Sequence, residues 1–203
     1  GDASNKFKIE SKTKINYIKV QIFPDGGVAR LRLFGEVKLN WDKYENKNDL
    51  IELSSLKLGG SIVAYNNAHY GDVSALLSHG RGKTMGDGWE TRRRREPGND
   101  WIIIKLATKG LIKKIEIDTA HFKGNYPDQA SVQVSNFDKN KGLEEVINDS
   151  HNWKYILDKS KLQADNIHNY EVNDTSIKDV THVRLNIYPD GGVSRFRIFG
   201  LKL

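Results

Sequence analysis

Apolar and polar residues alternate along residues 17–22 (YIKVQI) and again along 30–33 (RLRL), the period of a strand with one buried face. Between them lies Pro24-Asp25-Gly26-Gly27, where proline pre-sets a turn and glycine accepts positive φ. The arrangement returns late in the chain. Residues 22–35 read IFPDGGVARLRLFG and residues 187–200 read IYPDGGVSRFRIFG, ten of fourteen positions identical at an offset of 165 residues. Solenoid units are far shorter, so the offset indicates a duplicated domain. Residues 56–65 read as an entry loop and strand, and further strands are expected at 101–106, 112–118, 131–135, 153–157, 169–172, 180–188 and 193–202, the last two forming a closing hairpin. A short helix is expected at 72–77, with Asp72 as its cap. Residues 41–50 read as a connector, 80–100 as a long glycine-rich loop and 137–150 as a surface loop. Many short strands and few helical patterns predict an all-β fold, an antiparallel jelly-roll β-sandwich with few short helices.

The two copies are unequally equipped. A long strand-rich stretch precedes the second PDGG turn, and almost nothing precedes the first. The expected organisation is residues 1–37 as a terminal β-hairpin remnant of a preceding repeat, 38–49 as linker and 50–203 as a complete repeat. The chain thus reads as the C-terminal part of a longer two-copy protein. An orphaned hairpin leaves an unpaired sheet edge, so residues 1–37 are expected to cover the complete domain or to pair with another chain.

Composition narrows the function classes. A chain of 203 residues with 37% hydrophobic residues can bury a core. Lys and Arg number 32 against 26 Asp and Glu, and the net charge of +6 is scattered, which favours anionic partners without marking nucleic acid. The absence of cysteine excludes disulfides, thiol nucleophiles and cysteine metal sites. No stretch approaches the ~20 apolar residues of a membrane span. No phosphate loop, nucleophile elbow or dinucleotide fingerprint is present. No membrane or nucleic-acid partner is therefore expected, and the expected location is cytoplasmic.

Candidate chemistry concentrates between residues 80 and 128. Glu90 lies in Gly88-Trp89-Glu90-Thr91, followed by four arginines, Arg92 to Arg95. It is either a general acid or base tuned by neighbouring cations, or one half of a loop salt bridge. In an extended segment Arg92 and Arg94 share a face. Asp118 ends a strand, and His121 follows within reach of a turn back toward it. The pair is a charge-oriented base, part of a metal site or a structural hydrogen bond. One Asp-x-x-His with no second histidine nearby is a weak metal signal. No cofactor is expected, although a divalent metal stays open. Arg195 and Arg197 alternate with Phe196 and Ile198, so both guanidiniums share one face, either clamping an anion or standing in solvent.

The blocks GRGKTMGDGWETRRRREPGNDWIIIKL, IEIDTAHFKGNYPD and YPDGGVSRFRIFG closely resemble the allantoicase family. The resemblance covers residues 50–200 in full, and residues 17–35 resemble the end of the family's preceding repeat. It implies a duplicated sandwich of galactose-binding-like form, and hydrolysis of allantoate to ureidoglycolate and urea in purine breakdown. With that substrate, Arg92, Arg94, Arg195 and Arg197 become candidates to bind it. Glu90 and His121 become proton-transfer candidates, with Asp118 orienting His121. Asp87, Asn125 and Asp190 are further binding candidates. Allantoate is then the expected partner, and a homo-oligomer the expected assembly. Two alternatives remain: a non-catalytic carbohydrate-binding module, for which Trp89 is the candidate platform, and a truncated copy inactive without its partner repeat.

Overall fold

The computed structural model describes residues 3–44, 49–137, 142–174 and 176–203. The chain divides into two compact units, Gly1–Lys38 and Leu39–Leu203. The larger unit contains, in order, β1 (Ile51–Glu52), β2 (Ser61–Tyr65), β3 (Trp89–Glu90), β4 (Asp100–Asp118), β5 (Gln129–Ser135), α1 (Leu143–Asp149), β6 (Lys154–Lys161), β7 (Ile167–Glu171), β8 (Val180–Tyr188), β9 (Gly192–Val193) and β10 (Arg195–Lys202).

Strand β4 is the spine. Its first part pairs with β2 and with β8, and the layer continues through β5 to β6. Its second part pairs with β10 and β7, and β1 lies beyond β10. Every ladder is antiparallel, so a jelly-roll sandwich is built around one strand that belongs to both layers. Ile102, Ile104, Leu106, Ile112, Ile115 and Ile117 of β4 enter the main core with Leu185, Ile187, Phe196 and Ile198. The inward set changes from even to odd positions after Ile112. There Gly200 faces Ile112 and Phe199 faces Lys114, a bulge that sets one extra residue in β4.

The expected strands 101–106 and 112–118 are therefore one. Gly110, which reads as a break between them, marks a close approach instead. A Cβ there would lie 2.5 Å from Leu53 and 2.9 Å from the Leu201 carbonyl.

The expected closing hairpin is not a hairpin. β8 pairs with β4 and β5, β10 pairs with β4 and β1, and the two share no ladder. The PDGG turn is a crossing between layers. This accounts for residues 1–38, which contain the counterparts of β8 and β10 alone. Neither has its ladder partner within that unit, and residues 3–38 form no strand or helix. Tyr17 and Phe34 are 93% and 92% exposed. The turn itself keeps one backbone form in both copies: Gly26 and Gly191 have φ of 138°, and Phe23–Pro24 and Tyr188–Pro189 are both cis.

Residues 137–150 are more than a surface loop. They include α1, whose Val146 packs with Phe137, Trp153 and Ile103 in a second, smaller core. Within the expected loop, residues 138–141 lie outside the described residues. In the expected connector, Trp41–Tyr44 forms a 3-10 turn whose Tyr44 packs on the main core, and residues 45–48 lie outside the described residues. The helix expected at 72–77 is a 3-10 turn, Val73–Leu77, whose Ser74 amide donates to the Asp72 carboxylate at 3.0 Å.

The second core buries His182. Its ring lies 5.8 Å from that of Phe137 and 6.2 Å from that of Trp153. Burial, with Lys105 adding to it, pushes the imidazole from its ordinary 6.5 down to about 4. The folded chain thus binds this proton less tightly than the unfolded chain. Stability from this site is complete above about pH 6.5 and is lost as pH falls toward 4, by up to about 3 kcal/mol. In urea titrations at pH 7.5 and 5, His182→Gln should lose less stability across that interval than the parent. Equal losses would show that His182 does not titrate in this way. At the crossing, Gly191→Ala should cost about 2 kcal/mol or more, because φ is positive and its Cβ would meet backbone atoms at 2.7–2.8 Å. Gly124→Ala, with nothing within 4 Å, should change thermal stability little in the same melts.

Candidate functional site

Three loops meet at one end of the sandwich because the PDGG crossing binds the other two. β9 pairs with β3, setting Val193 against Trp89 and Gly192 against Glu90. The Gly192 amide donates to the Asn125 carbonyl at 2.7 Å, and the Ser194 amide donates to the Asp118 carbonyl at 2.7 Å. The Thr91 hydroxyl accepts from the Gly191 amide at 3.0 Å, and the Thr91 amide donates to the Gly191 carbonyl at 3.1 Å. A Cβ on Gly192 would fall 2.0 Å from the Phe122 ring, so glycine is required for this approach.

Glu90 is half-buried here and accepts from Asn125 Nδ2 at 2.5 Å. Among the described residues it forms no ion pair, so the loop salt bridge considered for it is absent. Its Oε1 is held by a neutral amide instead. Beside it, Asp190 accepts the Arg94 amide at 2.9 Å, which ties the arginine run to the crossing. The Arg94 guanidinium turns inward to the fully buried Asp100 at 2.6 Å, and that bond holds it more firmly protonated. Arg92 is exposed and pairs with Glu96 at 3.1 Å, while Arg94 reaches the same Glu96 oxygen at 3.6 Å. The two share a side as expected, yet Arg94 is already neutralised.

His121 adopts a left-handed backbone, φ 71°, with its amide donating to Asp165 at 2.8 Å. That bond and nearby Lys123 and Arg81 hold the Asp165 carboxyl below the usual range. The imidazole Nε2–H donates to the Gly82 carbonyl at 2.7 Å, which leaves Nδ1 as the basic nitrogen. Asp118 does not orient this ring. Its Oδ1 accepts from the Ala120 amide at 2.8 Å, and its Oδ2 faces Arg81 Nε at 3.3 Å. The turn after β4 folds the carboxylate back onto its own backbone, which removes it from the imidazole.

Arg195 and Arg197 share a face, but both donate to the protein's own groups. Arg195 donates from Nε to the Gly80 carbonyl at 2.9 Å, and from Nη1 to the carbonyls of Asp87 and Ser194. Arg197 donates to the same Gly80 carbonyl from Nη2 at 2.6 Å, pairs with Glu116 through Nη1, and lies 3.6 Å from Glu52 through Nε. Burial pushes the Glu52 carboxyl above its ordinary value, and Arg197 opposes the shift. The arginine clamp closes on the protein's own backbone, since β10 delivers both side chains against loop 80–88. Asp87 is likewise structural: its carboxylate accepts the Lys83 amide at 2.8 Å and the Thr84 amide at 3.3 Å, which lowers its pKa.

Trp89 is fully buried, its indole donating to the Asn67 carbonyl at 2.8 Å, so it offers no sugar-stacking platform. Among the described residues no three His, Asp or Glu side chains converge as metal ligands. Several residues with a part in the site were not singled out from the sequence: Arg81, Asn67, Thr91 and Ser194. Asn67 also fixes the loop by accepting the Arg92 amide at 3.1 Å. Ser194 carried a readable signal, because the first copy has Ala29 at that position. Arg81 had none beyond its flanking glycines.

The chain matches the allantoicase repeat family over residues 1–38 and 51–203. It is 46% identical over 200 residues to a probable allantoicase from Burkholderia mallei, a match that covers 98% of this chain and 59% of that protein. The structure of an allantoicase from Saccharomyces cerevisiae superposes with a TM-score of 0.64 at 39% identity, covering 74% of this chain and 43% of the yeast chain. An F5/8 type C domain from Bacteroides fragilis, 14% identical with a TM-score of 0.53, shares the galactose-binding-like jelly-roll fold over 78% of this chain and 99% of its own. The chain spans little more than half of the bacterial relative, and through two separate matched segments it belongs to the allantoicase repeat family.

Proposed function

We propose that the protein carrying this chain is a hydrolase of purine breakdown that converts allantoate and water to ureidoglycolate and urea. The C–N bond between the central carbon and one ureido group breaks, water supplies the hydroxyl to that carbon, and the departing nitrogen gains a proton. Glu90 is the proposed proton-transfer group. The observation that carries this reading is its setting: a half-buried carboxylate where three loops meet, oriented by Asn125 and not neutralised by a cation. His121 is proposed to exchange a proton through Nδ1, since Nε2 is committed to Gly82. The exposed Arg92 remains a candidate for contact with the substrate. Kinship with proteins named allantoicase supports the choice of substrate.

The proposal needs no cofactor, because carboxylate, imidazole and guanidinium supply the acid, base and cation. It places the enzyme in the cytoplasm as a homo-oligomer. No helix among the described residues is long and apolar enough to cross a membrane. The proposed division into a repeat remnant at 1–37, a linker at 38–49 and a repeat at 50–203 leaves open a requirement for the partner repeat.

Urea release from allantoate by the purified protein tests the reading. Glu90→Gln keeps an acceptor for Asn125 but cannot carry the proton, and should lower kcat about 100-fold or more with little change in thermal stability. His121→Ala should also lose activity, and loosening of loop 80–88 should accompany it. Parent-like rates in both variants would remove the proton-transfer assignment. A parent protein that releases no urea even with its partner repeat restored would remove the substrate.

A further inference from the structure

Arg195, Arg197 and His121, which most resemble a substrate clamp, each donate to one short segment of backbone. The Gly80 carbonyl accepts from Arg195 Nε at 2.9 Å and from Arg197 Nη2 at 2.6 Å. Two residues on, the Gly82 carbonyl accepts from His121 Nε2 at 2.7 Å. Gly80 has a left-handed φ of 76°, which favours glycine, and a Cβ on Gly82 would fall 2.5 Å from Ser194 Oγ, so the two lie close together. Three long side chains from two separate elements thus fix the peptide on both sides of a single residue, Arg81.

Arg81 differs from the arginines that hold it. Its side chain is 54% exposed, against 11% for Arg197. Its Nε lies 3.3 Å from the buried Asp118, and Nη2 lies 3.9 Å from Asp165. These carboxylates flank the Nε edge of the guanidinium and set its direction. They leave the outer edge, Nη1 with the second N–H of Nη2, without a partner among the described residues. That edge is the fork that receives a carboxylate through two parallel hydrogen bonds. The two acids are themselves offset, Asp165 by Lys123 and Asp118 by Arg195. The position also suits the chemistry. Gly82 packs on Ser194, two residues from Gly192, the strand partner of Glu90. The loop that carries Arg81 and the strand that carries Glu90 thus lie against the same PDGG crossing.

We propose that Arg81 is the residue that binds the carboxylate of the substrate, and that Arg195, Arg197 and His121 position it by holding the backbone on either side. The inference rests on the allantoate reading for the identity of the ligand. Its ligand class is a small α-substituted carboxylate, gripped at one end while its ureido arms lie toward Glu90.

The test compares two ligands by calorimetric titration of the full chain, with urea release followed in parallel. One is allantoate. The other is methylenediurea, which has the same two ureido arms and no carboxylate. Arg81→Ala should weaken allantoate binding about 10- to 100-fold, the loss of a charged pair of hydrogen bonds, and should leave methylenediurea binding unchanged. In turnover the loss should fall on KM more than on kcat. Arg81→Lys keeps a cation beside Asp118 and so protects the fold if the alanine variant is unstable. It keeps the charge but not the fork, and should bind allantoate more weakly than the parent while sparing methylenediurea. Unchanged allantoate affinity in Arg81→Lys and in a folded Arg81→Ala would overturn the assignment. So would equal loss of both ligands, which marks a structural role, and so would a parent chain that binds no allantoate. Parent chain that binds allantoate through Arg81 yet releases no urea even with its partner repeat restored would count against the hydrolytic reading alone.

Discussion

One backbone carbonyl, that of Gly80, accepts from two guanidinium groups that arrive side by side from β10. Charge-assisted bonds of this kind are about twice as strong as neutral ones. They join the last strand of the sandwich to a loop more than a hundred residues earlier, and the candidate site depends on that junction. Arg197 is held in turn by Glu116 of β4 and by Glu52 of β1, so the grip on the loop is anchored in the layer behind it. Arg195 adds the Asp87 carbonyl, and Asp87 closes the loop on itself through the Lys83 and Thr84 amides. Two guanidiniums from one strand thus tie this glycine-rich segment to the sandwich.

The PDGG crossing supplies the other half of the arrangement. Because β8 and β10 belong to different layers, the turn between them runs over the end of the sandwich rather than along an edge. Its amides and carbonyls bind loop 80–91 and loop 118–127 together. Gly191 and Gly192 let the crossing lie directly on Tyr126 and Phe122. Glu90 and Asn125 therefore meet because main-chain contacts bring their loops together, and the chemistry is carried on rigid supports rather than on free loops.

Much of the fold was legible in the sequence, and the places where it was not share a cause. Alternation announced β8, β10 and the second part of β4, because one face of each enters the core. Alternation is silent about which strand lies alongside. PDGG between two alternating runs therefore read as a hairpin, when each run pairs with β4 instead. Gly110 read as a break, yet its lack of a side chain serves the approach of Leu53 and Leu201 inside one continuous strand. Phe137 and Val146 were passed over in a polar stretch, because the small core they form covers the outer face of a sheet and not its inner one. At the site, residue types and location were visible but partners were not. Arg195 and Arg197 looked like an anion clamp and Asp118 like a support for His121. Tertiary contacts gave the clamp a backbone carbonyl, gave Asp118 to Arg81, and gave Glu90 an amide.

The central claim is that Arg195 and Arg197 hold loop 80–88 in its working conformation. Amide hydrogen exchange measures this most directly, comparing the parent with Arg195→Met, a variant of similar length without donors. The account predicts that the amides of Lys83, Thr84, Asp87 and Gly88, all bonded within the loop, exchange at least tenfold faster in the variant, while those of β4 and β8 keep their protection. Unchanged exchange in loop 80–88 would contradict it, because the loop would then hold its shape without the guanidinium that the structure places at its base.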